Sequence, residues 1–244
     1  MGKVSFCTTC KGRLYQFRQT IFKNIEDNAD HPDTEFVVLN HNSPDHLDDW
    51  VRDNLKPFLE SGKLCYYKMI DVLPWHVCHA KNAAHRLATG EIVCNLDGDN
   101  FTGPGFASFI NAEIAKNRDI IGWLRRGSST CGRIYLLAEH FKKLGGYDEK
   151  FMPMSYQDMD LIARAQKIGL KLVHTRDRAE FTQVIPNAND KTKYCKANLS
   201  LMMMDQHNRA ISKRRMDMKI YSVNPGGYGK CKVLKNFTEI IELA

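Results

Sequence analysis

Short apolar runs alternate with longer amphipathic segments through the first half of this chain, and no other feature restricts the fold as much. Val4 to Thr8, Phe36 to Leu39, Leu64 to Ile70 and Ile92 to Leu96 read as strands. Leu14 to Glu26, Asp45 to Leu55, His79 to Ala88 and Gly103 to Lys116 read as the helices that separate and follow them. The second of these helices opens at Ser43-Pro44-Asp45 and is stopped by Pro57, which disfavours helical geometry in the residue before it. Strands separated by helices imply an α/β fold, a doubly wound and mostly parallel sheet covered on both faces. Ligands bind such sheets beyond the C-terminal ends of the strands. Thr8-Thr9, Asn40-His41 and Asp97-Gly98-Asp99 all fall there and are expected to converge.

The last of these segments carries the chemistry. A helix ends at Gly90, an apolar strand runs to Leu96, and two carboxylates follow. Residues i and i+2 of an extended chain share a face, which puts Asp97 and Asp99 on one side. Gly98 between them lets another group approach the backbone. Paired oxygen donors suit a hard divalent cation, Mn²⁺ or Mg²⁺, that keeps positions open for phosphate oxygens. The same triplet spacing recurs at Asp158-Met159-Asp160, so the strand end, and not the triplet, gives the first copy its weight.

The second half is less regular. Ile120 to Trp123, Arg133 to Leu137 and Lys171 to Val173 read as strands. Gln157 to Lys167 and Thr192 to Asn208 read as helices, and Gly145-Gly146 ends a short one. Tyr221 to Lys230, with Pro225-Gly226-Gly227, reads as a loop or irregular strand. With 244 residues and 43% apolar content the chain can bury one sizeable core. The expected organisation is a sheet domain over 1–190, in two halves at 1–100 and 101–190, which the family resemblance described below makes a nucleotide-binding and an acceptor-side half. A helical and irregular extension over 191–244 packs on it.

Charge and cysteines narrow the class. A net charge of +7 favours an anionic partner. The one dense basic cluster, Lys213-Arg214-Arg215, lies near a predicted helix end and reads as a solvated face. No secretory leader is evident and no apolar run reaches the ~18 residues of a membrane span, so a soluble, cytoplasmic protein is expected. The eight cysteines are scattered through apolar strands and read as reduced core residues. Asn100, Asn198 and Asn236 stand in glycosylation-acceptor patterns, read as coincidental without a leader. Cys7-Thr8-Thr9-Cys10 admits two other readings, a dithiol between strand and helix, or zinc shared with His76, Cys78 and His79. Neither has a recognised spacing.

Four segments, in order, make the chain similar to the nucleotide-sugar-dependent glycosyltransferases of the GT-A fold, of the inverting family 2 type, over roughly residues 3 to 185. They are Val4 to Thr9 with Arg13; His79-Ala80-Lys81-Asn82 with Ala88-Thr89-Gly90-Glu91; Leu96-Asp97-Gly98-Asp99-Asn100; and Leu144-Gly145-Gly146-Tyr147-Asp148-Glu149 with Ser155 to Leu161. The last pair resembles the acceptor-side segment of β-1,4-galactosyltransferases and chondroitin-type polymerases. The resemblance implies donor contacts at Thr8, Thr9, Arg13, Lys81, Asp97 and Gly98, metal ligation by Asp97 and principally Asp99, and a general base at Asp158 with Asp160 beside it. It implies a nucleoside-diphosphate sugar, most often UDP-linked, as donor, and a glycan or glycoprotein as acceptor.

Three positions depart from that pattern. Asn40-His41 stands where the family has Asp-Asp, Gln157 stands where Glu precedes the base, and a third metal ligand is not evident, with His174 and His207 the candidates. Asp158 could also be no more than a helix cap, Lys81 a solvated helix residue, and Trp75 and Trp123 core. Arg125-Arg126 could shape the sugar or acceptor site. A sugar-nucleotide nucleotidyltransferase would need a Gly-rich loop after the first strand, where Lys11-Gly12-Arg13 is poor in glycine. A nucleic-acid-binding protein would need a basic stripe interleaved with aromatics, and the charges here are dispersed.

Overall fold

The structure, a computed structural model, describes residues 2–124, 132–174, 178–186, 192–195 and 200–244. Its strands are β1 (Val4–Cys10), β2 (Thr34–Asn40), β3 (Leu64–Met69), β4 (Ile92–Asn95), β5 (Ile120–Trp123), β6 (Ile134–Leu137), β7 (Lys171–His174), β8 (Cys231–Lys235) and β9 (Glu239–Leu243). Its helices are α1 (Leu14–Asp27), α2 (Leu47–Asn54), α3 (Lys56–Glu60), α4 (Val77–Leu87), α5 (Phe106–Lys116), α6 (Ala138–Lys143), α7 (Gln157–Lys167) and α8 (Leu201–Asp217). All the described strands join one sheet in the order β7-β5-β6-β4-β1-β2-β3-β8-β9.

The centre is the expected α/β sheet. β4, β1, β2 and β3 pair in parallel, with Val4 opposite both Thr34 and Ile92. β2 is buried along its whole length, as befits a strand covered on both faces. Side chains alternate between two cores. Phe6, Phe36 and Phe106 stack beneath α1 and α5, while Cys7, Val37 and Leu39 face Ala80, Ala83 and Ala84 of α4. The small α4 residues let that helix close on the sheet.

The flanks depart from a mostly parallel sheet. β6 runs antiparallel between β4 and β5, and β8 and β9 form a hairpin antiparallel to β3. The sequence reading places only a loop or extension there, because neither hairpin strand is apolar enough to stand out. Their pairing is supplied by contact with β3. Asn236, left-handed in the turn, bonds both the carbonyl and the amide of Tyr66 at 2.7 and 2.8 Å. The last helix also shifts. It begins at Leu201 and not at Thr192, because Ser200 caps it by accepting a hydrogen bond from the Met203 amide at 3.2 Å.

Cys7 and Cys10 lie three residues apart in one strand, in different cores, so they do not form a dithiol pair. Burial pushes the thiols of Cys7 and Cys78 well above their usual range. His76 and His79 each bond a carbonyl oxygen, of Phe151 at 2.8 Å and of Lys230 at 3.0 Å. Among the described residues no group of three or more His, Cys, Asp or Glu is arranged to hold a metal, and no helix is long and apolar enough to cross a membrane. Asn100 of the first glycosylation pattern is fully buried. Cys131, Asn198 and Arg125-Arg126 lie outside the described residues.

Candidate active site

The turn after β4 is held by side chains from two other elements, β1 and α1. Thr8 donates to the Leu96 carbonyl and Thr20 to the Gly98 carbonyl, both at 2.8 Å. Asn24 bonds the Asn100 carbonyl at 3.0 Å and accepts from the Thr102 amide at 2.8 Å. Buried hydrogen bonds of this kind hold Asp97 and Asp99 in place before any ligand arrives. Thr8 therefore acts through the turn. A Cβ on Gly98 would make only ordinary contacts, 3.4 Å from Cys10 Sγ, so packing inside the protein does not require glycine there.

Three distant segments meet at Lys81. Its ammonium lies 3.0 Å from Asp158 Oδ1 and 3.6 Å from Asp97 Oδ1, with the side chain 3% exposed. It also sits over the Tyr147 ring, 5.4 Å from the centroid. Burial opposes the charge on this lysine, but Asp158 and Asp97 outweigh it and hold the ammonium well above its usual range. Lys81 is thus no solvated helix residue. Gly132 packs against the same cluster, since a Cβ there would fall 2.5 Å from Asp97 Oδ2 and 3.0 Å from Lys81 Nζ.

The two carboxylates of the turn differ. Burial opposes ionisation of Asp97, yet Lys81, Asn95 and Arg133 keep its carboxyl below the usual range. Burial and the adjacent Asp97 charge push Asp99 up. A pair of hard oxygen donors in mutual repulsion fits a divalent cation, which relieves it. Among the described residues these two carboxylates form no cluster of three with another His, Cys, Asp or Glu. His174 instead packs on Trp123, with ring centroids 5.0 Å apart, and His207 is exposed on α8, so neither joins the pair as a third ligand. Arg13 stands at the N-terminus of α1, close enough for its charge to lower Asp99. Thr9 is half-buried at the end of β1.

Arg133 is the residue that sequence reasoning missed. It is fully buried, donates to Asn100 Oδ1 at 2.7 Å, and leaves Nε and Nη1 without partners. Its charge is felt by Asp97, and burial lowers its own pKa to about 10. Only its place as the charged first residue of a predicted apolar strand hints at it.

Asp158 and Asp160 part company. α7 begins after Ser155 and Tyr156, both left-handed, which aims its first turn at α4. Asp158 Oδ1 meets Lys81 and Oδ2 accepts from Gln157 at 2.8 Å. Burial pushes its carboxyl up, with Lys81 opposing. Asp160 is fully buried and turned elsewhere, 2.7 Å from both Arg164 Nε and Ser212 Oγ. The structure therefore places Asp160 outside the cluster, as a buried ion pair that anchors α7 to α8.

The Asn40-His41 departure also has a structural basis. Asn40 is occupied by Asp48, Tyr66 and the Ser43 amide. His41 is fully buried against Trp75, both its ring nitrogens unpartnered, and burial brings its pKa down to about 4.

Comparison with known families decides the class: the model described as Glycosyl transferase family 2 matches residues 5–176. The chain belongs to that family. No curated protein matches it in sequence. Solved structures that the family 2 chain resembles include a mannosyltransferase from Pyrobaculum calidifontis in complex with GDP-Man and Mn²⁺, at TM-score 0.59 and 18% identity. The alignment covers 72% of this chain and 55% of that one, so the chain spans about half the length of that relative. S. aureus TarS 1–349 aligns at TM-score 0.61 and 13% identity over 88% of this chain and 72% of its own. GalNAc-T7 with UDP, GalNAc and Mn²⁺ aligns at TM-score 0.61 and 13% identity, over 72% and 42%. These likenesses establish the GT-A fold of the family 2 chain.

Proposed function

We propose that this chain is an inverting, metal-dependent glycosyltransferase that moves a sugar from a nucleoside-diphosphate sugar, UDP-linked by preference, to a hydroxyl of a glycan or glycoprotein. The observation that carries the reading is the junction of Asp97, Lys81 and Asp158, brought from three segments to the ends of the parallel strands. Asp97 and Asp99 would hold Mn²⁺ or Mg²⁺, which supplies charge neutralisation for the leaving diphosphate. Lys81 and Arg13 add positive charge on the same side, Thr9 borders the donor, and Thr8 holds the turn that carries the two carboxylates.

Asp158 is the general base of this proposal. It takes the proton of the acceptor hydroxyl as that oxygen bonds the anomeric carbon and the sugar–phosphate bond breaks. The nucleoside diphosphate departs with the electron pair, and the anomeric configuration inverts. Burial around Asp158 keeps water from competing for the sugar. The acceptor-side segment from Gly145 to Asp160 supports a galactosyltransferase-like or polymerase-like acceptor. Asp160 is a positioning residue in this account, because both its oxygens are bonded away from the cluster.

Incubation with a panel of UDP- and GDP-sugars and Mn²⁺, in the presence of mixed glycan acceptors, tests the reading. Release of nucleoside diphosphate with a new glycan product of inverted anomeric configuration is the expected result. A product of retained configuration, or no turnover with any donor, would contradict it.

A further inference from the structure

The geometry points to an exchange of ion-pair partners at Lys81: without donor it holds the base Asp158, and an arriving nucleoside diphosphate takes it over. This rests on the donor and base assignments proposed above. Lys81 is the cation between the two ends of the reaction, 3.0 Å from Asp158 on the acceptor side and 3.6 Å from Asp97 on the donor side. At 3% exposure it meets almost no water, so its charge must be balanced by whichever anion lies within reach.

In this structure Asp158 has both oxygens engaged, one by Lys81 and one by Gln157. A carboxylate held in this way is a poor partner for an acceptor hydroxyl. A diphosphate seated beside Asp97 and Asp99 brings further negative charge to the Asp97 side of the ammonium. Lysine is a compact charge on a flexible stem and can follow that charge with a small rotation. Once it does, Asp158 Oδ1 is released toward the acceptor hydroxyl, while Gln157 still fixes the carboxylate plane.

The surroundings are fitted for such a move. The buried Tyr147 hydroxyl and the Gln157 Oε1 have no hydrogen-bond partner, although both belong to residues that contact the Lys81 and Asp158 side chains. Unsatisfied polar atoms at a buried junction are uncommon in a finished structure. They give the displaced charges and an incoming hydroxyl somewhere to bond. The consequence is an order of events: the base is freed only when the donor is in place.

The exchange makes Asp158 a competitor of the nucleotide for Lys81, and that sign is testable without knowing the acceptor. UDP and GDP binding would be measured by calorimetry with Mn²⁺ for wild type, Asp158→Asn, Lys81→Met and the double variant. Asp158→Asn keeps the shape but frees the ammonium, so nucleotide should bind roughly 3- to 10-fold tighter, in the lower part of the range of coupling between contacting residues. The gain should vanish when Lys81 is already methionine, which separates it from a general loss of negative charge. A static, structural Lys81–Asp158 pair predicts unchanged or weaker binding in Asp158→Asn, and that result overturns the exchange. Should Lys81→Met fail to fold, the sign for Asp158→Asn alone decides, with its melting temperature as control. If neither nucleotide binds wild type, the donor-site reading itself falls, a different failure from nucleotide binding that ignores Asp158.

Discussion

The half of this molecule proposed to bind the donor and the half proposed to bind the acceptor are held by different means. From β1 to β4 each strand lies in parallel beside a sequence neighbour or β1, and the Asp97-to-Asp99 turn is fixed by residues of β1 and α1, Thr8, Thr20 and Asn24. The acceptor side has no such local frame. Its Gly145-to-Asp160 segment is tied down by residues far along the chain: Arg215 on Asp148 at 2.8 Å, Ser212 on Asp160 at 2.7 Å, Asn208 on the Met152 to Ser155 backbone, and Asn224 on the Gly145 and Tyr147 carbonyls. The proposed nucleotide side is thus preorganised by the sheet, whereas Asp158, the proposed base, lies on a segment tied down by C-terminal residues.

The first way to break this comparison is at the base itself. Asp158→Asn should lower transfer by roughly 10²–10⁴-fold in steady-state assays, the usual contribution of a positioned base, with the fold intact. Asp160→Asn should cost much less turnover and more thermal stability. Equal losses of turnover would mean that the two aspartates are not divided as the structure divides them.

The next largest effect should be on the long-range ties. Arg164 and Asp160 are both fully buried, and Arg164 also donates to the Leu144 and Gly146 carbonyls. Arg164→Met leaves a buried carboxylate without its partner, so unfolding free energy should fall by about 3–5 kcal/mol in denaturant titrations. Arg215→Ala removes a partner of the buried Asp148 and should cost less, about 1–3 kcal/mol. Its loss should fall on turnover, with nucleotide affinity spared, if the C-terminal segment serves the acceptor side alone.

These ties explain what could be seen in the sequence. Thr8, Asn40 and Asp97 were visible at strand ends because strand and helix signals are local, and the Asp97-to-Asp99 pair followed from the two-residue repeat. The resemblance of its segment singles out Asp158, and the structure brings that residue to Lys81. That Asp160 faces away was not visible, because the direction is set by Ser212 and Arg164, 52 and four residues distant. The β8–β9 hairpin and Arg133 were hidden for the same reason: one is a strand only beside β3, the other a buried cation only beside Asn100 and Asp97.

A smaller effect sharpens the contrast on the donor side. Burial brings the pKa of His41 from 6.5 down to about 4. The unfolded chain then binds the proton that the folded chain refuses, so stability is full above pH 6.5 and is lost as pH falls toward 4. His41→Phe should flatten the stability profile between those limits in urea titrations, with little change at neutral pH. An unchanged slope would assign the acid sensitivity to other groups, such as His85, whose pKa burial also lowers to about 4.

The central claim is that Asp97 and Asp99 form a metal-dependent diphosphate site. Calorimetry of UDP and GDP binding, with Mn²⁺ and then with excess chelator, tests it most directly. The account predicts that chelation weakens binding at least about tenfold, a difference of roughly 1.4 kcal/mol, and that Asp99→Ala abolishes the response to metal. Equal nucleotide affinity with and without metal would contradict it.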